Sequence, residues 1–349
     1  MEVSLISQKD WPEWDRFVKG RPNSSLYHTL EWKNILETSF GYKAKLLAVR
    51  SNTEIIDILP LYLISLLGIR KKLVCIPLSG SYSAFLSEDS TAHSLLIEAA
   101  VDLAVREGVQ YIEIRNNIPH DILVHHNFIE HRPFYFPQIE IHNADANKRL
   151  MTHGHRESIA KFQKKGAHIE VGCKKDDLKK FYAILEDMYR EFGTPIFSYS
   201  YLENMWNILK PQENIALYVI KHNEKIIGGG CMLLYRDQMI YKYGAYIMAS
   251  RSLCPTHGLV WFGITECVRR GLQVFDLGAT SAGDKGLLQF KKNFGAAENP
   301  AYFYYFPVKG KPPEMETYLD SFQLIKRVWK LLPKPLLRFI GPQFYKWIC

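Results

Sequence analysis

The sequence predicts a mixed-sheet α/β protein made of two related domains in tandem, and three observations carry that reading. The chain has 349 residues, its segments match one another in a fixed order, and its apolar patterning alternates between helical and strand periods. The length suits about two domains of roughly 150 residues each. Apolar residues make up 47% and charged residues 23%, a balance that supports a sizeable core and excludes disordered and fibrous classes.

The internal matches organise the chain. Asn34-Ile35-Leu36 recurs as Asn207-Ile208-Leu209, and the hairpin-like LLAVRSNTEIIDILPLYL from Leu46 recurs as ALYVIKHNEKIIGGGCMLL from Ala216. VREGVQYIEIR from Val105 matches VRRGLQVFDLG from Val268, and Phe134-Tyr135-Phe136-Pro137 matches Tyr304-Tyr305-Phe306-Pro307. Four short matches keep their order while the offset drifts only between 163 and 173 residues, so an internal duplication is expected. The predicted unit is a helix, a β-hairpin, a longer helix closed by Gly108 or Gly271, a strand of alternating apolar residues, and a final aromatic strand.

The polar stretch HNADANKR places the expected boundary near residues 143 to 152, giving domains 1–147 and 148–308. A basic amphipathic tail, 309–349, follows. In it Phe322, Ile325, Trp329 and Leu332 fall on one helical face beside Lys326, Arg327 and Lys330, with Lys334, Arg338 and Lys346 further on. That composition suits an interfacial helix on an anionic membrane face, and equally a tail packed on the first domain.

No signal-peptide stretch opens the chain, and the longest uncharged apolar run, Ile58 to Ile69, falls short of the ~20 residues of a spanning helix. The six cysteines show no CxxC pair and no zinc-finger spacing, so reduced thiols and a cytoplasmic location, peripheral to the inner membrane face at most, are expected. The net charge of +8 favours anionic partners such as phosphorylated metabolites, RNA or a membrane surface.

The unit order, together with HTLEW (28–32), HRESIAKFQKKG (155–166), FDLGATS (275–281) and GLLQFKKNFG (286–295), resembles the GNAT acyltransferase fold in its tandem form. That form is found in the Fem family of peptidoglycan-bridge aminoacyltransferases and the broader FemAB-like group. The resemblance covers residues 25 to 308 and implies two tandem GNAT-like domains, the second catalytic. It implies amide formation on a cell-envelope or surface-polysaccharide precursor, phosphorylated or lipid-linked, with aminoacyl-tRNA as donor and no tightly bound cofactor.

One departure bears on the donor. Acyl-CoA-dependent GNAT enzymes carry a Gly-rich turn, Q/R-x-x-G-x-G/A, whose backbone N–H groups hold the pyrophosphate; here the place is taken by ASRSLCPTHG (249–258). An acyl-CoA or carrier-protein thioester donor is the alternative with the same fold. A non-catalytic RNA or membrane-surface binding module is a second alternative.

Six cations between Lys148 and Gly166, among them Arg156, Lys161 and Lys164, face a single acid, Glu157. They suit acceptor phosphate, Arg156 by a bidentate grip, or form a solvated helix face. The resemblance favours phosphate binding and puts the Phe290-Lys291 pair beside the reacting carbonyl, where the Lys291 ammonium suits a developing oxyanion. An exposed loop lysine is the alternative. Asp276 ends an apolar strand, as a group that orients or deprotonates the attacking amine or as a cap on the Gly278 turn. Tyr243 and Tyr241 alternate on YKYGAY, facing a cleft or the core. The run His120, His125, His126 and His131 has no partners at ligand spacing, and Gly228–Gly230 suggest a bulge or a close backbone approach. A Ser/His/Asp set with motif context is missing.

Overall fold

The computed structural model describes residues 1–66, 70–77, 82, 84–172, 174–309 and 329–348. The first repeat runs β1 (Glu2–Leu5), α1 (Trp11–Gly20), α2 (Leu30–Phe40), β2 (Lys43–Ser51), β3 (Glu54–Leu66), β4 (Arg70–Val74), α3 (Ser90–Glu107), β5 (Tyr111–Asn116), α4 (Asp121–His125) and β6 (Ile129–Glu140). The second runs α5 (Ala144–Leu150), α6 (His153–Lys164), β7 (His168–Gly172), α7 (Lys175–Phe192), α8 (Tyr199–Leu209), β8 (Ile215–His222), β9 (Lys225–Tyr235), β10 (Gln238–Tyr246), α9 (Pro255–Arg270), β11 (Val274–Asp276), β12 (Thr280–Ser281), α10 (Lys285–Lys292) and β13 (Ala297–Pro307). A last helix, α11, spans Lys334–Ile348.

The order expected from the matched segments is present in both halves. Thr29 caps α2 through its side chain, which accepts from the Trp32 N–H at 3.2 Å, and the α2 residues Trp32, Ile35 and Leu36 are buried. The long helices α3 and α9 both end on a left-handed glycine, Gly108 at φ 65° and Gly271 at φ 68°, where any side chain would strain the backbone. After each long helix a strand returns parallel to the one before it: β5 beside β4, with Val74 opposite Glu113, and β11 beside β10, with Ile240 opposite Asp276. The two carboxylates thus hold the same place in the two ladders.

The chain divides into two compact units. One holds Met1–Phe134 with the described residues 300–309 and 345–348; the other holds Tyr135–Asn299 with 329–344. The expected division after Asn147 follows the repeats along the sequence, whereas the compact units trade their aromatic strands. In the first unit Tyr302–Pro307 of β13 pairs antiparallel with β5, closing the order β1-β2-β3-β4-β5-β13. In the second, Gln138–Glu140 of β6 pairs antiparallel with β11, giving β6-β11-β10-β9-β8-β7.

Within the second unit, neighbouring residues of β9 face opposite sides of the sheet. A Cβ on Gly229 would lie 3.2 Å from Phe181 of α7, and one on Gly230 would lie 2.8 Å from Leu259 of α9. The helices α7 and α9 therefore cover opposite faces, and the expected close approach is what the glycines serve. Helix α6 lies on the α9 side, its Phe162 ring so near that a Cβ on Gly258 would meet it at 2.6 Å. Ile159, Phe162, Leu259, Ile264 and Phe275 form the core there.

Of the apolar stripe expected in the tail, Phe322 and Ile325, with Lys326 and Arg327, lie outside the described residues. Trp329 is buried, as are Leu337 and Tyr345. Arg338 donates twice to Glu186 of α7, both at 2.7 Å, and Lys334 pairs with Asp187. Tyr42 donates to the Lys346 carbonyl at 2.6 Å in the first unit. The described tail thus packs against α7 and ends on the first unit. No helix among the described residues is long and apolar enough to cross a membrane.

Candidate active site

The parallel pairing of β10 with β11 lasts three residues and stops at Ile240 opposite Asp276. Beyond it β10 carries a bulge between Tyr241 and Tyr243, and β11 gives way to a turn at Gly278, whose φ is +78° and where a Cβ would lie 3.0 Å from the Tyr241 carbonyl. A bulge bends a strand away from its neighbour. The β10–β11 ladder therefore ends here, and the carbonyls beyond it are left without ladder partners.

Lys291 takes up two of those carbonyls. It sits in the last turn of α10, whose N-cap Asp284 accepts from the Leu287 N–H at 3.0 Å. The Lys291 Nζ donates to the carbonyls of Leu277 at 2.6 Å and Gly278 at 2.8 Å, and the side chain is 8% exposed. Lys291 is thus a buried helical residue; the exposed loop lysine is excluded. Burial pulls its pKa from 10.5 down to about 8, with Asp276 and Asp284 opposing the fall. An ammonium has three donors and two are used among the described residues, which leaves one N–H there for another acceptor.

Asp276 is 2% exposed. One carboxylate oxygen accepts from the Gly278 N–H at 2.7 Å, the cap on the turn; the other accepts from Gln138 at 3.1 Å. Gln138 in turn accepts from Asn299 at 3.0 Å. Burial raises the Asp276 pKa, against the Gln138 and Gly278 hydrogen bonds and the Lys291 charge. Close by, in β12, the Thr280 hydroxyl is buried without a hydrogen-bond partner among the described residues, a cost of roughly 1–3 kcal/mol unless something else bonds it.

Phe290 lies one residue from Lys291 in an aromatic cluster. Its ring centroid is 5.1 Å from His155, 5.1 Å from His257 and 5.3 Å from Phe294. His155, buried on α6, has Nε2 3.1 Å from the Phe290 carbonyl. Burial lowers the pKa of His155, and that of His257 to about 4, so the neutral His155 donates to the carbonyl and ties α6 to α10. His155, His257, Gln138, Asn299 and Thr280 were not singled out from the sequence. The legible signal was the spacing of His155, Ile159 and Phe162, one helical face with a histidine on it.

The basic cluster is split. Arg156 is half-buried on α6, while Lys161 and Lys164 are exposed. At ~100° per residue, Arg156 and Lys161 point about 140° apart around the helix. Tyr243 is 4% exposed, its ring 4.6 Å from Phe197, and is a packing residue. Tyr241 folds over Gly244, where a Cβ would meet its hydroxyl at 1.7 Å.

At the start of α9, Cys254 is left-handed at φ 58° and Pro255 follows it. The Gly258 N–H already bonds the Cys254 carbonyl at 3.2 Å, and proline has no N–H. Only Thr256 and His257 are left to offer first-turn amides, a poor cradle for a pyrophosphate.

In the first unit Asp57, Ser87 and His93 do come together, but Ser87 donates to Asp57 at 2.8 Å, and His93 Nε2 lies 3.2 Å from the same carboxylate and 3.0 Å from the Ser87 carbonyl. The hydroxyl is not poised on the imidazole, so this is a structural knot and no nucleophile. Among the described residues no group of three His, Cys, Asp or Glu is arranged to hold a metal ion.

Comparison with known proteins bears on the fold. Residues 152–292 match the family model described as the acetyltransferase (GNAT) domain. The structure of FemX superposes with a TM-score of 0.72 at 17% identity, over 93% of this chain and all (100%) of that one. The tandem GNAT protein from the clavulanic acid biosynthesis pathway gives 0.61 at 9% identity, over 89% and 99%. L-PGS from Bacillus licheniformis gives 0.58 at 14% identity, over 93% and 98%.

The fold is that of the tandem GNAT proteins.

The Asp276–Lys291 site falls inside the residues that match the acetyltransferase (GNAT) domain model. No curated protein sequence matches the chain.

Proposed function

We propose that this GNAT-type acyltransferase forms an amide by direct attack of an acceptor amine on an activated acyl or aminoacyl ester. The observation that carries the reading is the buried Lys291 ammonium, fixed by two carbonyls and left with one N–H at the end of the β10–β11 ladder. As the amine nitrogen bonds to the carbonyl carbon, negative charge grows on the carbonyl oxygen, and a preorganised ammonium in a dry site stabilises it. The C–O bond of the ester then breaks, the alkoxide leaves with the proton shed by the amine, and the oxyanion collapses to the amide. No covalent enzyme intermediate is needed.

In this reading Asp276 is a positioning residue. Its charge keeps Lys291 protonated against burial, and its bond to the Gly278 N–H sets the turn whose carbonyl Lys291 grips. Phe290 and His155 hold the α10 segment in place. Arg156, half-buried beside His155, takes the acceptor phosphate, with Lys161 and Lys164 contributing only long-range attraction.

Aminoacyl-tRNA is the donor we favour, because the start of α9 lacks the glycine turn and offers few free amides to a CoA pyrophosphate. The likeness to FemX and L-PGS is one of fold; it is consistent with a cell-envelope or lipid-linked acceptor. Side-by-side binding of aminoacyl-tRNA and acetyl-CoA tests the donor. Tight binding of acetyl-CoA, with none of aminoacyl-tRNA, reassigns the enzyme to CoA chemistry.

A further inference from the structure

The tail helix leaves one face uncovered. With Leu337 and Gly341 turned inward onto the second unit, Phe339 and Leu336 point away from it, 79% and 43% exposed, and Leu331 in the preceding turn is 84% exposed. Leu336 and Phe339 lie three residues apart on one side of α11, and two large apolar side chains so placed are uncommon on a soluble surface. They are also not the stripe that helical spacing alone selected, since Trp329 is buried and Leu332 half-buried.

Charge borders the same face. Residues 329–344 contain Lys330, Lys334 and Arg338 and no acid. Beside them lies a narrow cleft with room for little more than a water molecule, lined among others by Glu186, Arg190, Trp329 and Lys334. The Arg190 Nε there is buried without a hydrogen-bond partner among the described residues. Glu186 and Asp187 neutralise Arg338 and Lys334, which leaves Lys330 and Arg190 as net positive charge.

We propose that this face seats the protein on an anionic phospholipid bilayer. Leu331, Leu336 and Phe339 enter the boundary between headgroups and acyl chains. Lys330 meets headgroup phosphates at the rim, and the Arg190 charge adds to the attraction. An apolar wedge with basic residues around it is the composition of an interfacial helix, and α11 is too short to span. The proposal is independent of donor and acceptor, and its test does not read turnover.

Flotation of the full-length protein with vesicles of phosphatidylcholine alone, and of phosphatidylcholine and phosphatidylglycerol in equal parts, tests it. Binding is expected to the mixed vesicles and to weaken with salt. The double variant Leu331→Ser/Phe339→Ser, with an unchanged thermal melt because both side chains are exposed, should bind about tenfold less or weaker still. The variant Lys330→Gln/Arg190→Gln should lose the preference for phosphatidylglycerol while keeping the weak binding of the apolar wedge. Equal flotation of wild type and serine variant overturns the proposal, as does absence of binding by wild type. A lipid-free dimer in sedimentation equilibrium that the serine variant dissolves also overturns it, and assigns the face to a second copy of the chain.

Discussion

Two of the three ammonium protons of Lys291 are held by backbone carbonyls, and burial has drawn its pKa down to about 8. The consequence for stability has a definite sign. Between about 8 and the ordinary value of 10.5 the unfolded chain binds more protons at this residue than the folded one. Stability therefore rises with pH across that window, relative to a variant without the amine. Urea unfolding of wild type and Lys291→Met at the two ends of the window should show the wild-type midpoint gaining on the variant as pH increases; parallel midpoints would mean that Lys291 is not desolvated. The residue was legible as a candidate because Phe290-Lys291 stands in a recognisable motif. Its burial was not legible, because an adjacent Lys292 at 47% side-chain exposure has the same type and neighbours in sequence, and only the helix phase of α10 separates them. Gln138 was invisible for a related reason: its bond to Asp276 comes from strand pairing across more than a hundred residues.

At the scale of elements, α6 is the part most open to test. His155 on its buried face bonds the Phe290 carbonyl at 3.1 Å, so His155→Ala should loosen the α10 segment and lower kcat by about tenfold with KM little changed. A change confined to KM would show that the histidine serves binding. Arg156 and Lys161 diverge around the helix, so single variants should behave differently: Arg156→Gln raises the acceptor's KM several-fold, whereas Lys161→Gln leaves it within about twofold. Equal effects would restore the whole cluster as one phosphate site. Helical periodicity placed α6 and its cations in the sequence; it did not say which cations share the side of His155, since that depends on where the core lies. The turn residues were the most readable elements, Gly108 and Gly271 both lying where a left-handed closure is needed.

The chain forms two compact units that do not coincide with the two halves expected from the matched segments. The order of matched segments predicted the repeated element plan, and β2–β3, α3, β8–β9 and α9 follow it. The exchange of aromatic strands could not be read from that order. A strand's sequence shows that it needs a partner on each edge and not which partner, and Phe134–Pro137 and Tyr304–Pro307 are alike enough to suit either sheet. The exchange has a test. Residues 148–308 produced alone lack the β6 partner of β11 and carry an unpaired β13, and an open aromatic edge invites aggregation. That fragment should fail to unfold cooperatively, whereas the full chain does; a monomeric, cooperatively melting fragment would contradict the exchange.

The central claim is that the chain is an acyltransferase whose Lys291 ammonium stabilises the oxyanion of direct amine attack. It is tested most directly by single-turnover transfer from labelled aminoacyl-tRNA to a pool of cell-envelope precursors, comparing wild type with Lys291→Met over a range of pH. Wild type should form labelled amide at a rate that declines above pH about 8, as Lys291 loses its proton. Lys291→Met should be slower by about 10²-fold or more, without that decline and with donor binding intact. Amide formation by Lys291→Met at the wild-type rate would contradict the assignment.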